Sequence, residues 1–120
     1  MIKYRLYIGL LDADTKKQKI RTRKAVQLIT KAVCSHTGGG TIWTARGVYT
    51  HANGDIVNEN TIICETVTND PCAVIYLMDW LRLKLNQESI LIEAEGGLSI
   101  FYDRSDEAID AINKHANKEA

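Results

Sequence analysis

The sequence predicts an α+β domain, an antiparallel sheet with its helices packed on one face. Three observations predict it. Apolar and polar residues alternate strictly over the first ten positions, two later segments carry apolar stripes at helical spacing, and β-branched runs come in pairs around glycine-containing turns. Read in order, these elements are βαββαββα, and the first six match the split β-α-β arrangement of a ferredoxin-like core.

The first strand places Ile2, Tyr4, Leu6, Ile8 and Leu10 on one face and Lys3, Arg5, Tyr7 and Gly9 on the other. After a polar stretch, Thr22 is placed to cap a helix reaching Thr37, with Ala25, Val26, Ile29, Ala32 and Val33 inward. Gly38, Gly39 and Gly40 end it, because glycine takes left-handed dihedrals cheaply. Thr41–Thr50 and Ile56–Val67 read as a hairpin around Asn53-Gly54. Asn69 or Asp70 caps a second helix, with Pro71 in its first turn, running to Gln87. Ile90–Ala94 and Leu98–Tyr102 form a second hairpin, and Ser105 caps a last helix to Lys118. No repeat or linker interrupts residues 1–120, so one domain is expected.

Composition narrows the function. The chain has 120 residues, 45% hydrophobic, with 15 basic against 15 acidic side chains and zero formal charge. Enough apolar surface exists to offset chain entropy, so the chain should fold. Neutrality argues against a nucleic-acid polymer as partner, since displacing counterions from many phosphates needs a basic surplus. No apolar run reaches the roughly 18 residues of a membrane span, and no signal peptide is apparent. Three cysteines without a C-x-x-C suit a reducing cytoplasm, as small buried hydrophobes.

Several residues carry more chemistry than a core requires. On the second helix Tyr76, Trp80, Leu83 and Gln87 fall opposite the core stripe, which suits a homodimer seam, a ligand-stacking surface or cover by another part of the chain. Lys16–Lys24 contains six basic residues, Arg21, Arg23 and Lys24 among them, and leads into a helix N-terminus; it is either a solvated loop or an anion site. The glycine loop 38–40 is either a helix stop or a place for a ligand to approach the backbone. Arg46 shares a strand face with Ile42 and Val48, so it should pair with Glu59 or Glu65 across the hairpin or hold an anion. No Ser-His-Asp, Cys-His or H-E-x-x-H arrangement is present, and Glu93 and Glu95 read as an exposed face. The sequence therefore predicts no enzyme, no metal and no cofactor.

Tyr7-Ile8-Gly9-Leu10 with Asp12–Gln18, Arg46–His51 through Gly54 to Glu59-Asn60-Thr61, and Leu85–Ile90 together resemble the phage anti-Thoeris sponge family over most of residues 4–103. That resemblance implies a phage-encoded protein in the host bacterial cytoplasm. Its ligand would be the immune signal glycocyclic ADP-ribose, bound without cleavage and in some members accompanied by cyclic trinucleotides. It implies a homo-oligomer, dimer or hexamer. Tyr76 and Asn86 match the family's adenine-stacking and hydrogen-bonding pair in type and spacing, and Arg46 and Arg104 are nearest to its pyrophosphate arginines. Tyr49 and Gln87 join this candidate site. A second arginine expected one turn after Arg104 is absent, since Glu107 and Ala108 stand there. Arg21, Arg23, Lys24 and Gly38–Gly40 are the implied trinucleotide site. The alternative is a phage inhibitor that binds a host defence protein through the Tyr76/Trp80/Leu83 face.

Overall fold

The computed structural model describes residues 1–119. Among them the elements run β1 (Ile2–Gly9), α1 (Thr22–Thr37), β2 (Thr41–Thr50), β3 (Ile56–Thr68), α2 (Pro71–Leu85), β4 (Ile90–Ala94), β5 (Leu98–Tyr102) and α3 (Asp106–Glu119). The strands form one antiparallel sheet in the order β2-β3-β1-β4-β5. Because β3 lies antiparallel between β1 and β2, the connection through α1 is a split β-α-β. Strand β4 completes the ferredoxin-like core and β5 extends it.

Period-two patterning decides which sheet face is covered. Tyr4, Leu6 and Ile8 are fully buried, as are Ile62 and Cys64 on β3, Ile92 on β4 and Tyr102 on β5. Against them pack Ala25, Ile29 and Val33 of α1, Val74, Leu77, Met78 and Leu81 of α2, and Ile112 of α3. All three helices thus share one face and one core.

Helix ends show where local chemistry prevails. Asp70 caps α2 by accepting from the Cys72 amide at 3.0 Å, with Pro71 following. The cap of α1 is Arg21 rather than Thr22, without a side-chain cap; the Thr22 hydroxyl instead accepts from Gln18 Nε2 at 3.0 Å. Helix α2 stops at Leu85, two residues before the expected end, because Asn86 turns left-handed at φ 46°. Gly40 has a packing reason: a Cβ there would run into the carbonyl of Glu65 and lie 3.1 Å from Val33 Cγ1. The cysteines divide. Cys64 is buried and its thiol is pushed up to about 11 by that burial, whereas Cys34 and Cys72 are exposed, contrary to the expectation for all three.

Candidate functional site

The sheet face away from the helices is where surplus chemistry collects. Pairing register aligns Phe101, Leu91, Tyr7, Ile63 and Trp43 in one row across all five strands. Next to it Arg5 lies between Glu93 and Glu65, hydrogen-bonding Glu65 through Nε at 2.8 Å and sitting 5.7 Å from the Trp43 ring. No element among the described residues covers this face, and Phe101 remains 67% exposed.

At one end of the row opens a cleft of about 490 Å³, lined by Tyr7, Gly9, Lys16, Gly47, Tyr49, Glu59, Thr61, Gln87, Leu91 and Phe101, among others. That volume falls within the roughly 300–1,000 Å³ of small-molecule sites. Glu59 forms its floor. A Cβ on Gly9 would lie 2.5 Å from Glu59 Oε1, and one on Gly47 would lie 2.7 Å from Thr61 Oγ1 and 3.3 Å from Glu59 Cγ. Register explains both contacts, since Gly47 pairs with Glu59 and Gly9 with Thr61 on the adjacent strand. Two missing side chains therefore make the bed on which a half-buried carboxylate rests. Glu59 Oε2 accepts from the Leu11 amide at 3.2 Å. Oε1 has no partner among the described residues. Partial burial, with the Glu59 charge second, raises the Tyr49 hydroxyl above its usual range, so it stays a donor. Carboxylate, phenol and aromatic walls together suit a ligand with a flat ring and neighbouring hydroxyls.

Tyr49 and Gln87 line this cleft, as a common site requires. Gln87 is partly engaged, its amide donating to the Leu11 carbonyl at 2.7 Å. Arg46 occupies the adjoining cleft of about 380 Å³ with Gln18, Asn58 and Asn60, and the two clefts share Leu11 and Glu59 as walls. Arg46 makes no ion pair with Glu59 or Glu65 among the described residues: its cross-strand neighbour is Asn60, both acids project to the opposite face, and Arg5 holds Glu65.

The remaining candidates lie elsewhere. Tyr76 is 64% exposed on the helix side. Arg104, left-handed at φ 68°, follows β5 near Tyr102, whose hydroxyl donates to Asp79 one turn beyond Tyr76 at 2.6 Å. Asn86 stands about 15 Å from Tyr76 along α2, and its amide is engaged by Asp12 Oδ1 at 3.0 Å and Asp14 Oδ2 at 2.9 Å. One protomer thus does not gather Tyr76, Asn86, Arg46 and Arg104 into one pocket. Trp80 is no outward residue: it packs on the core, with Lys84 Nζ 5.7 Å from its ring. The trinucleotide set is likewise split. Arg21, Arg23 and Lys24 start α1 and Gly38, Gly39 and Gly40 end it, about 24 Å apart on a 16-residue helix. The glycines have structural tasks, Gly38 capping α1 and Gly39 accepting the Thr66 hydroxyl at 2.8 Å.

Sequence reasoning gave Glu59 a role only as a partner for Arg46, counted Lys16 only within the basic run leading to α1, and assigned Gly9 and Gly47 no part in a site. A signal was available. Glycine inside a strand often marks close approach by something else, and Gly9 and Gly47 both fall on the face that carries the tyrosines.

No family model and no curated protein matches the chain. Among solved structures it resembles a phage SAM lyase in complex with S-methyl-5′-thioadenosine, 20% identical, with TM-score 0.62 over 88% of this chain and 92% of that one. The same lyase in its apo state matches at TM-score 0.63. A CutA1 from Pyrococcus horikoshii OT3 matches at 11% identity and TM-score 0.50, covering 96% and 97%. What is shared is the fold. The expectation that the chain is no enzyme is overturned here, because a protein with this architecture is a lyase. Missing hydrolase and metal motifs therefore exclude nothing. A carboxylate set beside a phenol by strand register, as Glu59 and Tyr49 are, leaves no contiguous motif to find. No described helix is long and apolar enough to cross a membrane.

Proposed function

We propose that this chain is a phage-encoded protein that binds an adenine nucleotide on its uncovered sheet face and thereby withdraws an immune signal of the glycocyclic ADP-ribose type. One observation carries the reading: the cleft that the Glu59 carboxylate, bedded against Gly9 and Gly47, lines together with Tyr49, Tyr7 and Phe101. An adenine ring stacks on aromatic walls for about 1–3 kcal/mol per base. Ribose hydroxyls donate to Glu59 Oε1. The lyase of like fold is described in complex with S-methyl-5′-thioadenosine, a ligand with the same adenine and ribose. The sequence resemblance to anti-Thoeris sponges supports the finer identity of the signal.

Retention at nanomolar concentration requires about 12 kcal/mol, and water in an open cleft screens its charges. A second copy laid over the row of Phe101, Leu91, Tyr7, Ile63 and Trp43 would close the site and cover that apolar surface, so the reading includes a homo-oligomer. Native mass spectrometry of the protein with glycocyclic ADP-ribose tests ligand and subunit count together. Absence of any bound adenine nucleotide rejects the reading. A second reading, turnover of the bound nucleotide, is favoured by the Glu59–Tyr49 pair. Incubation followed by heat denaturation separates the two: intact ligand returns from a sponge and altered ligand from an enzyme.

A further inference from the structure

The loop 11–18 over the cleft is built more firmly than its polar composition suggests. Asp12 N donates to Lys17 O and Lys16 N to Asp12 O, both at 2.8 Å. The Asp12 carboxylate accepts from the Asp14 and Thr15 amides at 3.1 and 3.0 Å. From the end of α2, Asn86 binds Asp12 and Asp14 through its side chain and accepts the Ala13 amide at 2.8 Å, while Gln87 holds the Leu11 carbonyl. Two residues that the sequence marks as ligand contacts thus fasten a loop to a helix.

What the brace presents is Lys16. Its φ of 59° lies in the left-handed region, which glycine enters more easily than lysine. It lines the cleft together with Glu59, Asp12 and Glu88. The loop does not neutralise it: Lys19 takes Asp12 at 3.5 Å, Asp14 is engaged by Asn86, and Lys16 forms no ion pair among the described residues. Among the described residues Lys16 is thus the one cation lining a cleft that also carries the carboxylates of Asp12, Glu59 and Glu88.

We propose that Lys16 is the anion-reading residue of this site and makes it select nucleoside phosphates over nucleosides. The inference rests on the nucleotide reading above. The carboxylates of Asp12, Glu59 and Glu88 repel a phosphate and Glu59 accepts hydroxyls, so the ligand's neutral ribose goes to Glu59 and its phosphate to Lys16. One charge-assisted hydrogen bond sets a preference of about tenfold.

The test is titration calorimetry of the full chain with adenosine and with adenosine 5′-monophosphate, using wild type, Lys16→Gly, Lys16→Glu and Glu59→Gln. Glycine suits the backbone angle, so Lys16→Gly keeps the loop and removes the side chain together with its charge. The expected result is that wild type prefers the monophosphate about tenfold, Lys16→Gly loses that preference with adenosine affinity unchanged, and Lys16→Glu reverses it. Equal affinity for both compounds in wild type, or a preference that survives in Lys16→Gly, overturns the role of Lys16 while leaving the nucleotide site intact. Failure of both compounds to bind wild type, with Glu59→Gln no different, overturns the underlying reading and the inference with it.

Discussion

Glu59 is held by what its neighbours lack. With a Cβ on Gly9 the carboxylate would have to leave its bed, since that atom would stand 2.5 Å from Oε1; a Cβ on Gly47 would meet Thr61 Oγ1 at 2.7 Å and Glu59 Cγ at 3.3 Å. Gly9→Ala should therefore lower nucleotide affinity at least tenfold while the fold survives, because the group displaced is the movable end of a side chain. Calorimetry beside a thermal melt checks both halves. Glu59→Gln, which keeps the shape and removes the charge, should weaken binding of a ribose-bearing ligand more than binding of free adenine. Gly40→Ala is the contrasting case. Its Cβ would meet the rigid backbone of β3, so a loss of about 1–3 kcal/mol in stability is expected, read from the urea midpoint. Binding at the distant cleft should stay unchanged in the folded fraction.

At the scale of elements, the joint between loop 11–18 and the end of α2 turns on Asp12. Its carboxyl is held far below the usual carboxylate range, first by the Thr15 amide and then by the Asn86 side chain. A depressed folded pKa places the stabilisation above the unfolded value, about 4, and loses it as pH falls toward the folded one. Stability should hold level from neutrality to about pH 4 and decline below. Asp12→Asn should flatten part of that decline, since asparagine neither gains nor loses the proton. Urea midpoints measured from pH 7 down to pH 2.5 in both proteins check the sign; a steeper acid loss in the variant would contradict it. Asn86→Ala removes the same brace from the helix side. It should increase hydrogen exchange at Ala13 and Lys16 while leaving the amides of β1 protected.

For the whole molecule, the balance of 15 basic and 15 acidic residues matters less than where they lie. The helix side completes one core, while the other sheet face keeps a row of apolar side chains and the Arg5–Glu65 pair uncovered. A surface of this kind marks association. Phe101→Asp should shift the native mass toward the monomer without unfolding the chain, because Phe101 is 67% exposed and outside the core. An unchanged assembly would place the subunit contact elsewhere, with the exposed Tyr76 and Leu83 on α2 as the next surface to substitute.

Element order, the α+β class and nearly every boundary were legible in the sequence, because they follow from local periodicity and turn chemistry. Alternation in β1 separated the inner from the outer face, and Asp70-Pro71 and Gly38 marked helix ends through contacts with near neighbours. The site was only partly legible. Tyr49, Gln87 and Arg46 lie in or beside the cleft, but Tyr76 and Arg104 stand on another flank, Trp80 packs inward, and Asn86 serves a loop. Tertiary structure decided that Glu59 would line the cleft, since its place depends on the register of β3 with both β1 and β2 and on two glycines about forty residues apart. It likewise decided that Lys16 would face the cleft, through hydrogen bonds from Asn86 and Gln87 some seventy residues away. Local patterns determine which side of an element is apolar; which side chains converge is settled only when distant elements pack.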